Sequence, residues 1–448
     1  MIALALAALL SVPSAAEAPR FELTMADAEA AARAHALDVK AAAEDSAAAG
    51  ASSDAAFASL LPRLTLDGSY RYQTEVPEFS VAPGAPKQQF GSNRSESLGP
   101  TLTWTLWDQG ALYKTWRAQQ ANARSRDEQL RLVQTQATQA ARLAYVQVQL
   151  GRERVRLLAD SVALAAAQYA DIEKRRRAGA ASRIESLSSH QSELQRRKEF
   201  LSSQSDLSAA LRELLRLTAL GAGVDASRPT DVRVSTAALD LPEPTVRLAF
   251  DSLADTPAAL AAAETAAAAQ DSHPAALVYA RQADAARLSA DAASAGEWPR
   301  FTFTGSIYRE YPNGPVLDWV TQKTAGFSAS VPLFEGRQTA RQVESSKHAA
   351  AAADRRREQV VEQLARDRDD ALAALAALRD QARLDTTAVV EAEDLARLVY
   401  NSYLAGRSTF LEVQTYQLTA LQLKVNAAQT RAQILIQLAE LAQLGAQG

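Results

Sequence analysis

The side chains able to do chemistry are few and scattered. His35, His190, His273 and His348 stand apart, and none has a second ligand at the spacing by which a helix assembles a metal site. The chain has no cysteine, which removes thiolate metal sites, cysteine nucleophiles, disulfides and cysteine-linked lipid anchors together. No nucleophile–base arrangement, phosphate-binding loop or pair of catalytic carboxylates is visible, so no enzyme activity, cofactor or metal is expected. What does recur is a glutamate three residues after a hydroxyl, in Ser182-Arg183-Ile184-Glu185 and Thr409-Phe410-Leu411-Glu412. Each has the form of a capping box, in which hydroxyl and carboxylate satisfy free N–H groups at a helix start. Each follows a glycine, Gly179 or Gly406, placed to end the preceding helix. Carboxylates repeated at one level of a symmetric oligomer would also form a ring selecting cations, and the two roles are compatible. Lys174-Arg175-Arg176-Arg177 suits the negative end of a helix dipole; a solvated helix end is the plain reading, contact with a partner or an anionic cargo the alternative. Arg355-Arg356-Arg357 reads as a solvated face.

The elements that must position these turns are written twice. Leu61-Pro62-Arg63-Leu64 returns as Trp298-Pro299-Arg300-Phe301, Leu106-Trp107-Asp108-Gln109-Gly110 as Leu333-Phe334-Glu335-Gly336, and Ala178-Gly179 as Ala405-Gly406, in the same order. Each copy reads as a helix, two strands, a very long helix, a glycine turn and a shorter helix. The long helices, expected from about Gly110 to Ala178 and from about Arg337 to Ala405, hold no proline and would each run roughly 100 Å. Helices of that length need other helices along their sides. The shorter ones, expected over Ala26 to Leu60 and Ser182 to Leu217, together match one long helix in length. Leu418, Leu421, Val425, Ala428, Ala432, Leu435, Ala439 and Ala442 mark a coiled-coil seam on the last helix.

Between the helices, strict alternation of apolar and polar residues predicts four strands. Leu64, Leu66, Gly68, Tyr70 and Tyr72 alternate with Thr65, Asp67, Ser69 and Arg71; Leu102, Trp104 and Leu106 alternate with threonines. Phe301, Phe303, Gly305 and Ile307, then Phe327, Ala329, Val331 and Leu333, do the same in the second copy. A half-buried soluble sheet gives this pattern too. Here, however, every helix is committed to a bundle, and the polar positions are small hydroxyls suited to a water-filled lumen. The strands are therefore read as membrane strands, with Trp107, Trp116 and Trp319 at the lipid–water boundary and the exterior loops at Gln73 to Ser97 and Arg309 to Lys323. Four strands cannot close a barrel, because the smallest membrane barrels have about eight. An open edge in lipid leaves backbone groups unpaired, so copies of the chain must share one barrel.

The bulk figures agree. Among 448 residues, a net charge of −4 gives no reason to expect a nucleic-acid partner. Residues 1–18 read as a secretory signal peptide cleaved after Ala16 or Ala18, although no Lys or Arg precedes its apolar run. The expected organisation is a first repeat over 19–218 with strands in 62–107, a proline- and glycine-rich connector over 219–256, and a second repeat over 257–448 with strands in 299–334.

The signal peptide, the duplicated grammar, the Leu-Pro-Arg-Leu and Trp-Pro-Arg-Phe strand starts and the glycine turns with downstream acids together resemble the TolC-type outer-membrane efflux family, over nearly the whole mature chain. The resemblance implies a mainly α fold with a membrane portion: a homotrimer whose 12-stranded β-barrel in the outer membrane of a Gram-negative bacterium continues into a long periplasmic α-helical barrel. It implies partners as well, a periplasmic adaptor (membrane fusion protein) and an inner-membrane transporter, in an efflux pump or type I secretion system. By the same resemblance Gly179 and Gly406 mark the periplasmic tips, Glu412 and Glu185 match a constricting acid, and Tyr403 matches a tyrosine that helps hold the tip closed. The family archetype has an arginine two residues past the second turn glycine. Ser408 stands there in this chain and Arg407 one residue earlier, so the closing network is expected to differ. The alternative is a periplasmic coiled-coil adaptor or scaffold, which shares the helical hairpins but has no lipid-facing strands.

Overall fold

The structure, a computed structural model, describes residues 20–80, 88, 89, 91–221, 223–230, 245–255, 257–264, 270–314 and 316–445. The expected signal peptide and the middle of the connector lie outside the described residues. In chain order the helices are α1 (Met25–His35), α2 (Leu37–Ala58), α3 (Ala111–Arg177), α4 (Arg183–Thr218), α5 (Ala258–Ala263), α6 (Pro274–Ala295), α7 (Gln338–Leu404) and α8 (Phe410–Leu444). Both long helices, α3 and α7, run 67 residues without a break. Among the described residues no helix is long and apolar enough to cross a membrane.

Two expected helices differ. The first is broken at Ala36, whose backbone is extended (φ −56°, ψ 134°), while its N–H still reaches the Ala32 carbonyl. Nothing in that alanine-rich stretch signals the break. The corresponding helix of the second copy is α5, a single 3-10 turn at Gln270–Ser272, and then α6. Pro274 is the reason α6 starts afresh: its ring fits the first helical turn and would clash in the interior of a longer helix.

The chain folds as two compact units, the first drawn from residues 1–41, 132–273 and 363–447 and the second from 42–131 and 274–362. The second unit contains a four-stranded antiparallel sheet of β2 (Arg63–Tyr72), β5 (Arg94–Trp107), β8 (Arg300–Tyr311) and β9 (Val320–Ser330), in the order β2-β5-β8-β9. The short strands β3 (Glu78–Phe79) and β4 (Gln88–Gln89) pair with each other inside the first loop. The central contact, β5 against β8, joins the two repeats. Register separates the faces, because residues paired across strands share a side. Leu64 faces Leu102, Trp104 faces Phe303, and Phe303 faces Phe327, so one side is apolar. Thr65 faces Thr101, Thr103 faces Thr304, and Ser306 faces Thr324 on the other. Hydroxyls knit that polar side together. Ser69 and Ser97 lie 2.8 Å apart, the Tyr308 hydroxyl is 2.6 Å from that of Thr101, and it donates to Asp67 at 3.1 Å. Leu64, Leu66 and Phe327 on the apolar side are exposed by 70%, 72% and 78% in the single chain. β9 stops at Ser330 although the alternation continues to Leu333, because Pro332 has no N–H for a ladder. Trp107 ends β5 and Trp319 precedes β9, whereas Trp116 packs edge-on against Phe57 and Tyr113 among helices.

In the first unit, β1 (Arg20–Glu22), β7 (Val246–Ala249) and β6 (Pro229–Thr230) form a parallel sheet in the order β1-β7-β6. The connector thus carries strands, and Val246, Leu248 and Phe250 bury into the core of α3 and α4 beside Tyr145, Leu207 and Leu211. The buried Tyr145 hydroxyl reaches the Leu23 carbonyl (3.0 Å) and the Asp251 carboxylate (2.9 Å), and Arg142 forks onto Glu29 at 2.7 and 3.1 Å. These bonds fasten the small sheet and α1 to α3.

Candidate gate at the two glycine turns

α3 and α7 end in the same way. Gly179 (φ +77°) and Gly406 (φ +74°) adopt the left-handed backbone that a side chain disfavours. Each N–H of the turn reaches back into the helix: Gly179 to Arg176 (3.0 Å) and Ala180 to Arg175 (2.8 Å), Gly406 to Tyr403 and Arg407 to Ser402 (both 2.9 Å). This pattern of bonds satisfies the last carbonyls and turns the chain sharply.

The next helices begin in complete capping boxes. The Glu185 amide donates to Ser182 Oγ at 3.1 Å, and the Ser182 amide donates to Glu185 Oε2 at 2.8 Å. The Glu412 amide donates to Thr409 Oγ1 at 3.3 Å, and the Thr409 amide to Glu412 Oε2 at 2.8 Å. Only Oε2 of either glutamate is used, and among the described residues Oε1 accepts no protein hydrogen bond. Capping therefore leaves one oxygen of each carboxylate unengaged.

The two turns are packed together. Ile172, Phe410 and Val413 form a small buried cluster, flanked by Ala181, Val399, Tyr400 and Tyr403. Tyr403 packs on Phe410 with ring centroids 5.6 Å apart. Burial, and secondly the charge of Glu185, push the Tyr403 phenol above its ordinary range, so it stays protonated and able to donate. Ser188 and Gln414 cross-link α4 and α8 with two hydrogen bonds of 3.2 Å. Tyr403 and Glu185 are thus brought together. Glu412 is exposed on the outer side of its box, and Arg407 is exposed with no carboxylate partner among the described residues.

Three of the four basic residues are paired with two carboxylates of their own helix. Arg175 bonds Asp171 at 3.0 Å, and Arg176 and Arg177 both hold Glu173, at 2.7 and 3.2 Å. Glu173 also accepts from Ser186 at 2.9 Å, tying α3 to the first turn of α4. These bonds, Arg176 foremost, hold the Glu173 carboxyl down at about 2. Sequence inspection did not single out Glu173, Phe410 or Gln414. The i, i+3 spacing of Glu173 to Arg176 was the available signal for the first, and nothing local marks the other two.

The family described as outer membrane efflux protein matches residues 30–220 and 265–446, nearly both repeats. No curated protein sequence matches. Among solved structures the fold is similar to that of CusC, with 16% identity, a TM-score of 0.73, and coverage of 95% of this chain and 92% of CusC. The Campylobacter jejuni CmeC outer membrane channel is similar at 15% identity and TM-score 0.73, covering 94% of this chain and 85% of CmeC. The Vibrio cholerae outer membrane protein VceC is similar at 16% identity and TM-score 0.71, covering 94% and 96%.

Proposed function

The chain belongs to the outer membrane efflux protein family, and from that premise we propose a passive conduit: a homotrimer that crosses the outer membrane and periplasm and moves cargo energised by its partners. As a family member it is the outer-membrane channel component of a tripartite export system. A periplasmic adaptor and an inner-membrane transporter complete that system in this reading, and the chain resides in the outer membrane of a Gram-negative bacterium.

One observation carries the assembly. The sheet ends at β2 and β9, each with a single neighbouring strand among the described residues. Its apolar face is exposed. In hydrocarbon every unpaired N–H or C=O on those edges costs several kcal/mol. Pairing β2 of one copy with β9 of the next removes both edges, and three copies make a closed ring of twelve strands. The hydroxyl-lined face then surrounds water and the apolar face meets lipid.

In this reading the glycine turns are the gate. Three copies of Glu412 and Glu185 ring the pore and attract cations, while the protonated Tyr403 hydroxyl beside Glu185 helps keep the turns drawn together. Glu412→Ala combined with Tyr403→Phe is expected to raise single-channel conductance in planar bilayers several-fold and to weaken cation preference. Unchanged conductance and selectivity would reduce both residues to capping and packing.

A further inference from the structure

We propose that α3 and α6 form a binding site for a phosphate group. A cavity of about 340 Å³ between them is lined by Arg117, Arg124, Arg281, Arg287, Asp284 and Leu288. Four guanidiniums therefore face one carboxylate. Asp284 serves Arg287 at 3.1 Å and Arg281 at 3.9 Å, and Arg287 is drawn further to Asp354 at 2.6 Å. Arg117 and Arg124 have no acidic partner among the described residues, and the Nε of Arg281 is buried without an acceptor. An excess of positive charge in a concave site, with an N–H donor left unmatched, calls for a multi-oxygen anion. Guanidinium forks fit phosphate in geometry as well as charge.

The helices do not need these arginines to pack. The Ser125 hydroxyl joins them by donating to the Val278 carbonyl at 3.2 Å, and Ala121 on α3 and Ala285 on α6 are both buried. The internal duplication supplies a control. α7 begins 227 positions after α3, so its counterparts of Arg117 and Arg124 are Glu344 and Ala351. One copy of the same scaffold carries the cluster and the other does not. Arg117 and Arg124 lie about 9 and about 20 Å along α3 from its first residue, close behind the end of β5. The phosphate is thus either free in solution or the headgroup of an anionic phospholipid at the near membrane surface.

The test compares wild-type protein with Arg117→Gln/Arg124→Gln, both purified in detergent and matched for assembly by size exclusion. Inorganic phosphate added at constant ionic strength is expected to raise the wild-type Tm by roughly 2 °C or more over chloride. The double variant should lose that shift, with affinity down about tenfold for each guanidinium removed. If free phosphate does nothing, the lipid source predicts that phosphatidylglycerol co-purifies with the wild type, is seen by native mass spectrometry, and falls several-fold in the variant. Should the double variant not assemble, Arg124→Gln alone, at an exposed position, is read in the same way. Equal phosphate response and equal lipid retention in wild type and variant overturn the proposal.

Discussion

Glu173 shows how one carboxylate decides what a run of positive charge can do. Held by Arg176, Arg177 and Ser186, it turns a cationic helix end into a strut between α3 and α4. Its carboxyl sits at about 2 in the folded protein, against an ordinary value of 4.5. A depressed pKa stabilises the fold above the ordinary value, and that contribution is lost as pH falls through the window from about 4.5 to about 2. The strut should therefore loosen only in strong acid. Hydrogen exchange of the first turns of α4, corrected for intrinsic rates, is expected to rise several-fold across that window. In Glu173→Gln the same amides should exchange fast already at neutral pH and respond little to acid. Flat protection in the wild type from pH 5 to pH 2 (about the limits of the window) would count against the strut. Its neighbours Glu185 and Glu412 are a different case. Their caps use one oxygen each, so capping and the ion selection proposed for them would draw on separate atoms of the same group.

Among the elements, the contact of β5 with β8 has the least tolerance. A Cβ on Gly99 would stand 2.0 Å from the Ile307 carbonyl oxygen and 2.7 Å from Tyr308 Cα, both backbone atoms that cannot swing aside. Gly326 on β9 has open space in the same position. Gly99→Ala is expected to force the strands apart at a cost of about 1–3 kcal/mol or more and to cut the amount of heat-modifiable, membrane-inserted protein several-fold. Gly326→Ala should leave it near wild type, and equal yields of the two would refute the steric reading. Elements such as these were legible wherever each residue's two possible surroundings differ sharply. Leu64 to Tyr72 and Phe301 to Ile307 alternate because one face of the sheet is apolar and the other carries hydroxyls, so β2 and β8 declare themselves. The start of β5, Arg94-Ser95-Glu96-Ser97, is polar on both faces, so no alternation separates it from the loop before it. β1 is three residues long and pairs with β7 more than two hundred positions away; no local pattern encodes such a contact. The capping boxes were readable because their partners are three residues apart. Tyr403 against Phe410 depends on a turn folding back, and only the resemblance pointed to Tyr403.

For the whole molecule, closure is the step that one chain cannot take alone. The sheet offers β2 at one edge and β9 at the other, each with no second strand beside it among the described residues. If copies close the barrel, β2 of each must lie beside β9 of the next in a single register, since a slip by one residue would turn apolar side chains into the lumen. The absence of cysteine makes this directly measurable. One cysteine placed at Leu66, with a second moved singly along Thr321 to Ser328, samples the possible registers. Mild oxidation is expected to link neighbouring copies at one position and weakly at its flanks, about 4.5–5.5 Å between Cβ atoms being the separation of a directly opposed pair. On non-reducing gels the ladder should then stop at three chains, because a closed ring has no free edge left to extend. A ladder running past three would mean an open, propagating sheet edge, and linkage confined within single chains would mean the edges never meet. Either result removes the shared barrel. The conduit needs that barrel: without it the apolar face of β2, β5, β8 and β9 has no lipid to meet and the hydroxyl face encloses no water.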